Sequence, residues 1–168
     1  MPAPGSLQPN PSQSRRQTPR PPRRDGGVHS SLPRLSDLQN RLGHQFKDVG
    51  LLRLALTHPS VSHEQGNNAA HNQRLEFLGD AVLQLVISRE LYHTYPSYGE
   101  GPLTKARANL VNRKTLATQA QALGLGKDVV LSRGEDLSGG RERPSTLADT
   151  FEAVVGAIFL DGGYEVGR

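Results

Sequence analysis

At 168 residues the chain has room for one folded domain and a tail, and with no cysteine it excludes a disulfide framework or a thiolate zinc site. No apolar stretch approaches the roughly 18 residues of a membrane span, and Met1-Pro2-Ala3-Pro4-Gly5 is no secretory signal, so a cytoplasmic protein is the default reading. The net charge of +4 belongs to the tail: residues 1–34 carry Arg15, Arg16, Arg20, Arg23, Arg24 and Arg34 against Asp25 alone, leaving 14 basic and 15 acidic residues in 35–168.

The first segment, 1–34, also holds eight of the twelve prolines with many Ser and Gln. It lacks the apolar surface to offset ordering entropy, and we read it as a disordered Pro/Arg-rich tail. Such an arm either adds salt-sensitive affinity for a polyanion or only solubilises. From Leu35 the pattern is helical almost throughout. Ser36 is placed to cap a helix over Asp37 to Leu42, and Asp48 another over Val49 to Leu56. His58-Pro59-Ser60 breaks the second, and a polar loop follows to Ala70.

Asn72 then caps a long helix from about Arg74 to Tyr95, apolar nearly all round and therefore expected to be central and buried. Pro96 ends it. Pro102 fits the first turn of the next helix, which leads to one from about Lys114 to Leu123 that stops at Gly124. Gly134 to Pro144 reads as a loop, and Ser145 to about Leu160 as the last helix, ended by Gly162-Gly163. There is no convincing strand, so the fold class is all-α.

Two segments carry the chemistry: Leu75-Glu76-Phe77-Leu78-Gly79-Asp80 and Ala148-Asp149-Thr150-Phe151-Glu152-Ala153. Residues three or four apart share a helix face, so Glu76 pairs with Asp80 and Asp149 with Glu152. A single helical acid is usually a solvated surface residue. Four on the two most apolar helices have little solvated face to occupy, and need a cation to compensate them. A hard divalent metal taking oxygen ligands is that cation, with Mg²⁺ the expected ion and Mn²⁺ its substitute. Such a site hydrolyses phosphate esters. No Gly-x-Ser-x-Gly elbow offers a competing nucleophile, and no Gly-x-x-x-x-Gly-Lys-Ser/Thr loop supports a nucleotide cofactor.

The stretch His71-Asn72-Gln73-Arg74-Leu75-Glu76-Phe77-Leu78-Gly79-Asp80-Ala81-Val82-Leu83 closely resembles the signature of the ribonuclease III family of double-stranded-RNA endonucleases. Ala55-Leu56-Thr57-His58 before it, Leu103 to Asn112 after it, and Leu147 to Ala153 with Gly156 and Leu160-Asp161-Gly162-Gly163 resemble the family in the same order. The resemblance covers 35–168 and implies the family's dimeric, all-α catalytic domain. It implies that Glu76, Asp80, Asp149 and Glu152 bind Mg²⁺, with Asp80 and Glu152 the pair least tolerant of change. It also implies an accessory acid at Glu100 and an aromatic at Phe77 that packs into the partner subunit. Cleavage would leave 5′-phosphate and 3′-hydroxyl ends, in ribosomal precursors and structured transcripts.

Because the domain itself is near neutral, duplex RNA must meet local positive patches. Candidates are Lys105, Arg107, Arg113 and Lys114 on consecutive helices, with Arg141 and Arg143 in the loop before the last helix. Gln73 stands where the family usually has a glutamate, and altered RNA contact is expected there. The sequence stops at Arg168, just past the second acidic motif. A catalytic domain without its closing helix, and without a double-stranded-RNA-binding domain, is therefore expected. The competing readings are a non-cleaving RNA-binding or assembly protein that keeps the fold, and an inactive truncated chain.

Overall fold

The computed structural model describes residues 35–64, 66 and 69–167. The Pro/Arg-rich segment 1–34 and Arg168 lie outside them. The helices are α1 (Leu35–Leu42), α2 (Val49–Leu56), α3 (Pro59–Glu64), α4 (Gln73–Thr94), α5 (Glu100–Leu110), α6 (Arg113–Ala122), α7 (Arg133–Leu137), α8 (Pro144–Gly162) and α9 (Tyr164–Gly167), with single 3₁₀ turns at Leu125–Lys127 and Gly140–Glu142. Among the described residues the only β pairing is an isolated parallel bridge between Thr57 and Val130. The all-α expectation holds.

The helix at the centre is α8, which packs against α2, α4 and α6. Its buried face is built from small and medium residues: Thr146, Leu147, Ala148, Thr150, Ala153, Val154, Gly156 and Ala157. Leu38, Leu52, Leu56, Leu75, Leu116 and Leu125 close around them. Small residues let a neighbouring helix approach closely, and at one crossing nothing larger than glycine fits. A Cβ on Gly79 of α4 would lie 1.8 Å from the Glu152 carbonyl oxygen of α8. One on Gly156 would lie 2.3 Å from the Leu75 carbonyl oxygen. The two helices therefore touch backbone to backbone beside the acidic residues.

The long helix α4 differs from its expected burial. It covers Leu75, Gly79, Val82 and Val86 on one face and Leu91 near its end, while Phe77, Leu85 and Tyr92 are 81%, 55% and 69% exposed. Its neighbour along most of its length, α8, covers one face, and α5 packs only near its C-terminal end, so Phe77, Leu85 and Tyr92 are left largely uncovered. Asn72 also departs from its expected role. Its side chain makes no cap bond to α4; it is buried and donates through Nδ2 to the Ala55 carbonyl at 3.3 Å.

Other punctuation was more regular. Asp48 Oδ1 accepts the Gly50 N–H at 2.8 Å, and Asn112 Oδ1 accepts the Thr115 N–H at 2.9 Å, as good caps do. Gly124 takes φ 65°, the left-handed conformation that stops α6. The expected break of α2 at His58-Pro59-Ser60 holds, but Pro59 then starts α3 within the expected polar loop, because proline suits a helix's first turn. Two tethers fix the ends. Asp161, at the close of α8, accepts the Lys47 and Asp48 N–H groups (3.1 and 2.8 Å) and bonds His44 Nε2 (2.9 Å). Arg41 of α1 reaches the Leu123 and Gly124 carbonyls and the Asp128 carboxylate.

Candidate active site

The glycine crossing brings the two acidic segments together. Glu76 lies on α4, and Asp149 and Glu152 one turn apart on α8. A carboxylate oxygen from each of the three falls within 4.8 Å of the others. All three are half-buried. The cleft beside them, about 330 Å³, is lined by Gln73, Glu76, Phe77, Asp80 and Glu152. Asp80 therefore faces the same cleft but stands outside the three-acid cluster. Gln84, one turn along α4, donates through Nε2 to both Asp80 oxygens, at 3.1 and 2.9 Å.

Electrostatics here is that of crowded like charge. Burial, then the charges on Asp80, Glu76 and Asp149, push the Glu152 carboxyl up to about 7, with the Arg113 guanidinium offsetting part of the rise. Burial first, then Asp149 and Asp80, raise Glu76; burial raises Asp149 against the pull of Arg113 and His58. The cation that offsets all three acids is Arg113, at the first position of α6. Its side chain is exposed and too weakly screened from water to neutralise three acids. The donor set fits a hard divalent cation: all oxygen, all anionic, preformed by backbone packing and short of positive charge.

The remaining sequence candidates separate into groups. Gln73 opens α4 and lines the acid cleft. Lys105 and Lys114 are exposed, on α5 and α6. Arg107 donates to Ser88 Oγ at 2.9 Å. Glu100 lines, with Arg107, Tyr92 and Tyr98, a second cleft of about 420 Å³ between α4 and α5, distinct from the acid cleft. Arg141 and Arg143 are committed within their own loop. Arg141 grips Asp136 (2.6 and 3.2 Å) and the Val129 and Gly126 carbonyls (2.6 and 3.3 Å). Arg143 pairs with Glu135 and donates to Ser138 Oγ at 3.2 Å. Phe77 is not core: it projects from the rim of the acid cleft. Sequence reasoning missed Gln84, although the rule that paired Glu76 with Asp80 also pairs Asp80 with Gln84.

A family model described as Ribonuclease-III-like matches residues 48–168. The chain belongs to the ribonuclease III family. Among its relatives, Ribonuclease 3 of Bdellovibrio bacteriovorus is 50% identical over 131 residues, covering 78% of this chain and 56% of the relative. Ribonuclease 3 of Desulforamulus reducens is 54% identical over 132 residues, 78% of this chain and 54% of the relative. This chain spans about half the length of the curated relatives it matches. A solved nuclease domain of ribonuclease III from Campylobacter jejuni, described as structurally flexible in a region involved in dimer formation, aligns with a TM-score of 0.74 and 44% identity. The alignment covers 79% of this chain and 90% of that one.

Proposed function

We propose that this ribonuclease III family chain is an endoribonuclease that hydrolyses phosphodiester bonds of double-stranded RNA with Mg²⁺, leaving 5′-phosphate and 3′-hydroxyl ends. The observation that carries the reading is the convergence of Glu76, Asp149 and Glu152 within 4.8 Å across a backbone-tight crossing. Those three hold the ion, and Asp80 joins them from the same cleft by turning from Gln84. The chemistry such an ion supplies when bound is activation of a water and neutralisation of charge on the phosphate. The chain's own groups bind and orient the RNA. Gln73 at the cleft and Arg113 beside it meet the strand at the scissile phosphate, while Lys105 and Lys114 meet backbone phosphates farther along the duplex. Recognition is of A-form shape and 2′-hydroxyls, as in the processing of ribosomal precursors and structured transcripts.

A homodimer suits this substrate. Duplex strands are related by approximate two-fold axes, and an isologous pair offers one acid cleft to each strand, giving staggered cuts with 3′ overhangs. The exposed Phe77, Leu85 and Tyr92 face of α4 supports that pairing.

The test is labelled duplex RNA incubated with the chain and Mg²⁺, with chelator, and with the Glu152→Gln variant. Cleavage with Mg²⁺ alone, and a loss of more than about 100-fold in the variant with RNA binding retained, are expected. Cleavage in chelator, or full activity in the variant, rejects the mechanism. Binding without cleavage under every condition favours the non-cleaving RNA-binding reading.

A further inference from the structure

The four acids do not stand alike. Glu76, Asp149 and Glu152 each bring a carboxylate oxygen within 4.8 Å of the others, whereas Asp80, on the wall of the same cleft, stays outside that cluster. Its carboxylate is engaged by its own helix. Gln84 Nε2 donates to Asp80 Oδ1 at 3.1 Å and to Oδ2 at 2.9 Å, so one amide nitrogen serves both oxygens of the acid. Residues four apart lie on one helix face, and the pair needs no help from another element.

The main chain under this pair is held from both ends. Gly79, the residue before Asp80, lies against the α8 backbone with no room for a Cβ. Beyond Asp80, the Gln84 carbonyl accepts the Ser88 hydroxyl at 2.6 Å, and Ser88 Oγ accepts the Arg107 guanidinium of α5 at 2.9 Å. What Asp80 can change is therefore its side-chain rotation on a fixed helix. The Gln84 side chain is exposed, and its Nε2 makes no other hydrogen bond among the described residues. Turned toward Gln84, Asp80 falls short of the other three acids. Coordinating an ion that they hold requires it to rotate away and give up those bonds.

We propose that Gln84 competes with the divalent ion for Asp80: the amide latches the fourth acid out of the cluster, and the ion must displace it. Gln84 thereby raises the Mg²⁺ concentration at which the site fills. The inference rests on the acid cluster being the metal-binding catalytic centre, and adds to it a control on occupancy. The latch is weak by construction. An exposed Gln–Asp pair at this spacing shifts an equilibrium about twofold, and a charged acceptor strengthens the bond, so an effect of about two- to fivefold is expected.

The test compares the unaltered full chain with Gln84→Ala, which deletes the amide from an exposed helical position and installs the strongest helix former. Mn²⁺ affinity is followed by the electron paramagnetic resonance of the free ion, and Mg²⁺ binding by the rise in Tm at a fixed concentration. Gln84→Ala is expected to bind Mn²⁺ about two- to fivefold more tightly and to show the larger Mg²⁺-induced rise in Tm. In an Asp80→Asn background the same substitution should leave Mn²⁺ affinity unchanged, because the contested carboxylate is gone. In the unaltered chain, the Gln84 side-chain amide resonances should move toward those of a solvated glutamine as Mg²⁺ is added, read by proton–nitrogen NMR.

Equal or weaker Mn²⁺ binding by Gln84→Ala, or the same gain in the Asp80→Asn background, overturns the inference and leaves the proposed function standing. Amide resonances that stay fixed while Mg²⁺ binds overturn it as well, and they decide the case should the variant fail to fold. An unaltered chain that neither binds Mn²⁺ nor cleaves duplex RNA overturns both.

Discussion

Glu152 is where burial and three neighbouring carboxylates act on one group, and its protonation is therefore a thermodynamic probe of the site. Its pKa rises from an ordinary 4.5 to about 7. Between those values the folded chain holds a proton that the unfolded chain has released, so stability is full below 4.5 and falls as pH rises toward 7. His58, with its lowered pKa, contributes the opposite trend below 6.5, so the Glu152 share is read from a variant. Glu152→Gln in the metal-free chain is expected to stabilise at pH 7.5, by on the order of 1 kcal/mol once solvent screening of a half-exposed group is allowed for, or about 4 °C in Tm. The gain should vanish at pH 4.5. Mg²⁺ should raise Tm at pH 7.5 in the unaltered chain more than in the variant. A variant gain that is equal at both pH values removes the like-charge account. At this scale the sequence was largely readable, since helical spacing alone pairs the acids within each helix. What spacing left out were partners chosen by side-chain reach, such as Gln84 for Asp80.

The backbone contact of α4 with α8 sets how the acids meet. Neither Gly79 nor Gly156 adopts a left-handed conformation; both are required by distance, a Cβ falling 1.8 and 2.3 Å from carbonyl oxygens of the facing helix. Gly79→Ala is expected to destabilise by at least about 3 kcal/mol in urea unfolding, because a rigid main chain must move aside. Under conditions where that variant is still folded, Mg²⁺-dependent cleavage should be lost as Glu76 withdraws from Asp149 and Glu152. A variant as stable and as active as the original contradicts the crossing. Helix existence was legible from apolar periodicity and from Asp48 and Gly124 as punctuation, whereas the Asn112 cap of α6 was not singled out. The short helices α3 and α7 were not, because each has a proline or serine at its start that reads equally well as loop. The burial of α4 was misjudged for a related reason: apolar residues on every side say that each face needs a partner, and do not say that the partner belongs to the same chain.

For the whole molecule, that leftover face is where the proposed homodimer would pair. Phe77, 81% exposed at the rim of the acid cleft, heads a stripe with Leu85 and Tyr92. Burying one Phe contributes about 2 kcal/mol, and a two-fold interface counts it twice, so Phe77→Glu is expected to weaken self-association roughly a thousandfold. Sedimentation equilibrium should show dimer becoming monomer, with helical content and low-concentration Tm unchanged. A variant that still sediments as a dimer places the interface elsewhere. The paired glycines have a last consequence. The spacing of the carboxylates is gauged by peptide units, which have no rotamers to repack, rather than by the fit of leucines in the interior. Substitutions among those leucines should therefore shorten the lifetime of the folded chain long before they blunt its chemistry, and heat-sensitive variants with normal turnover should be common.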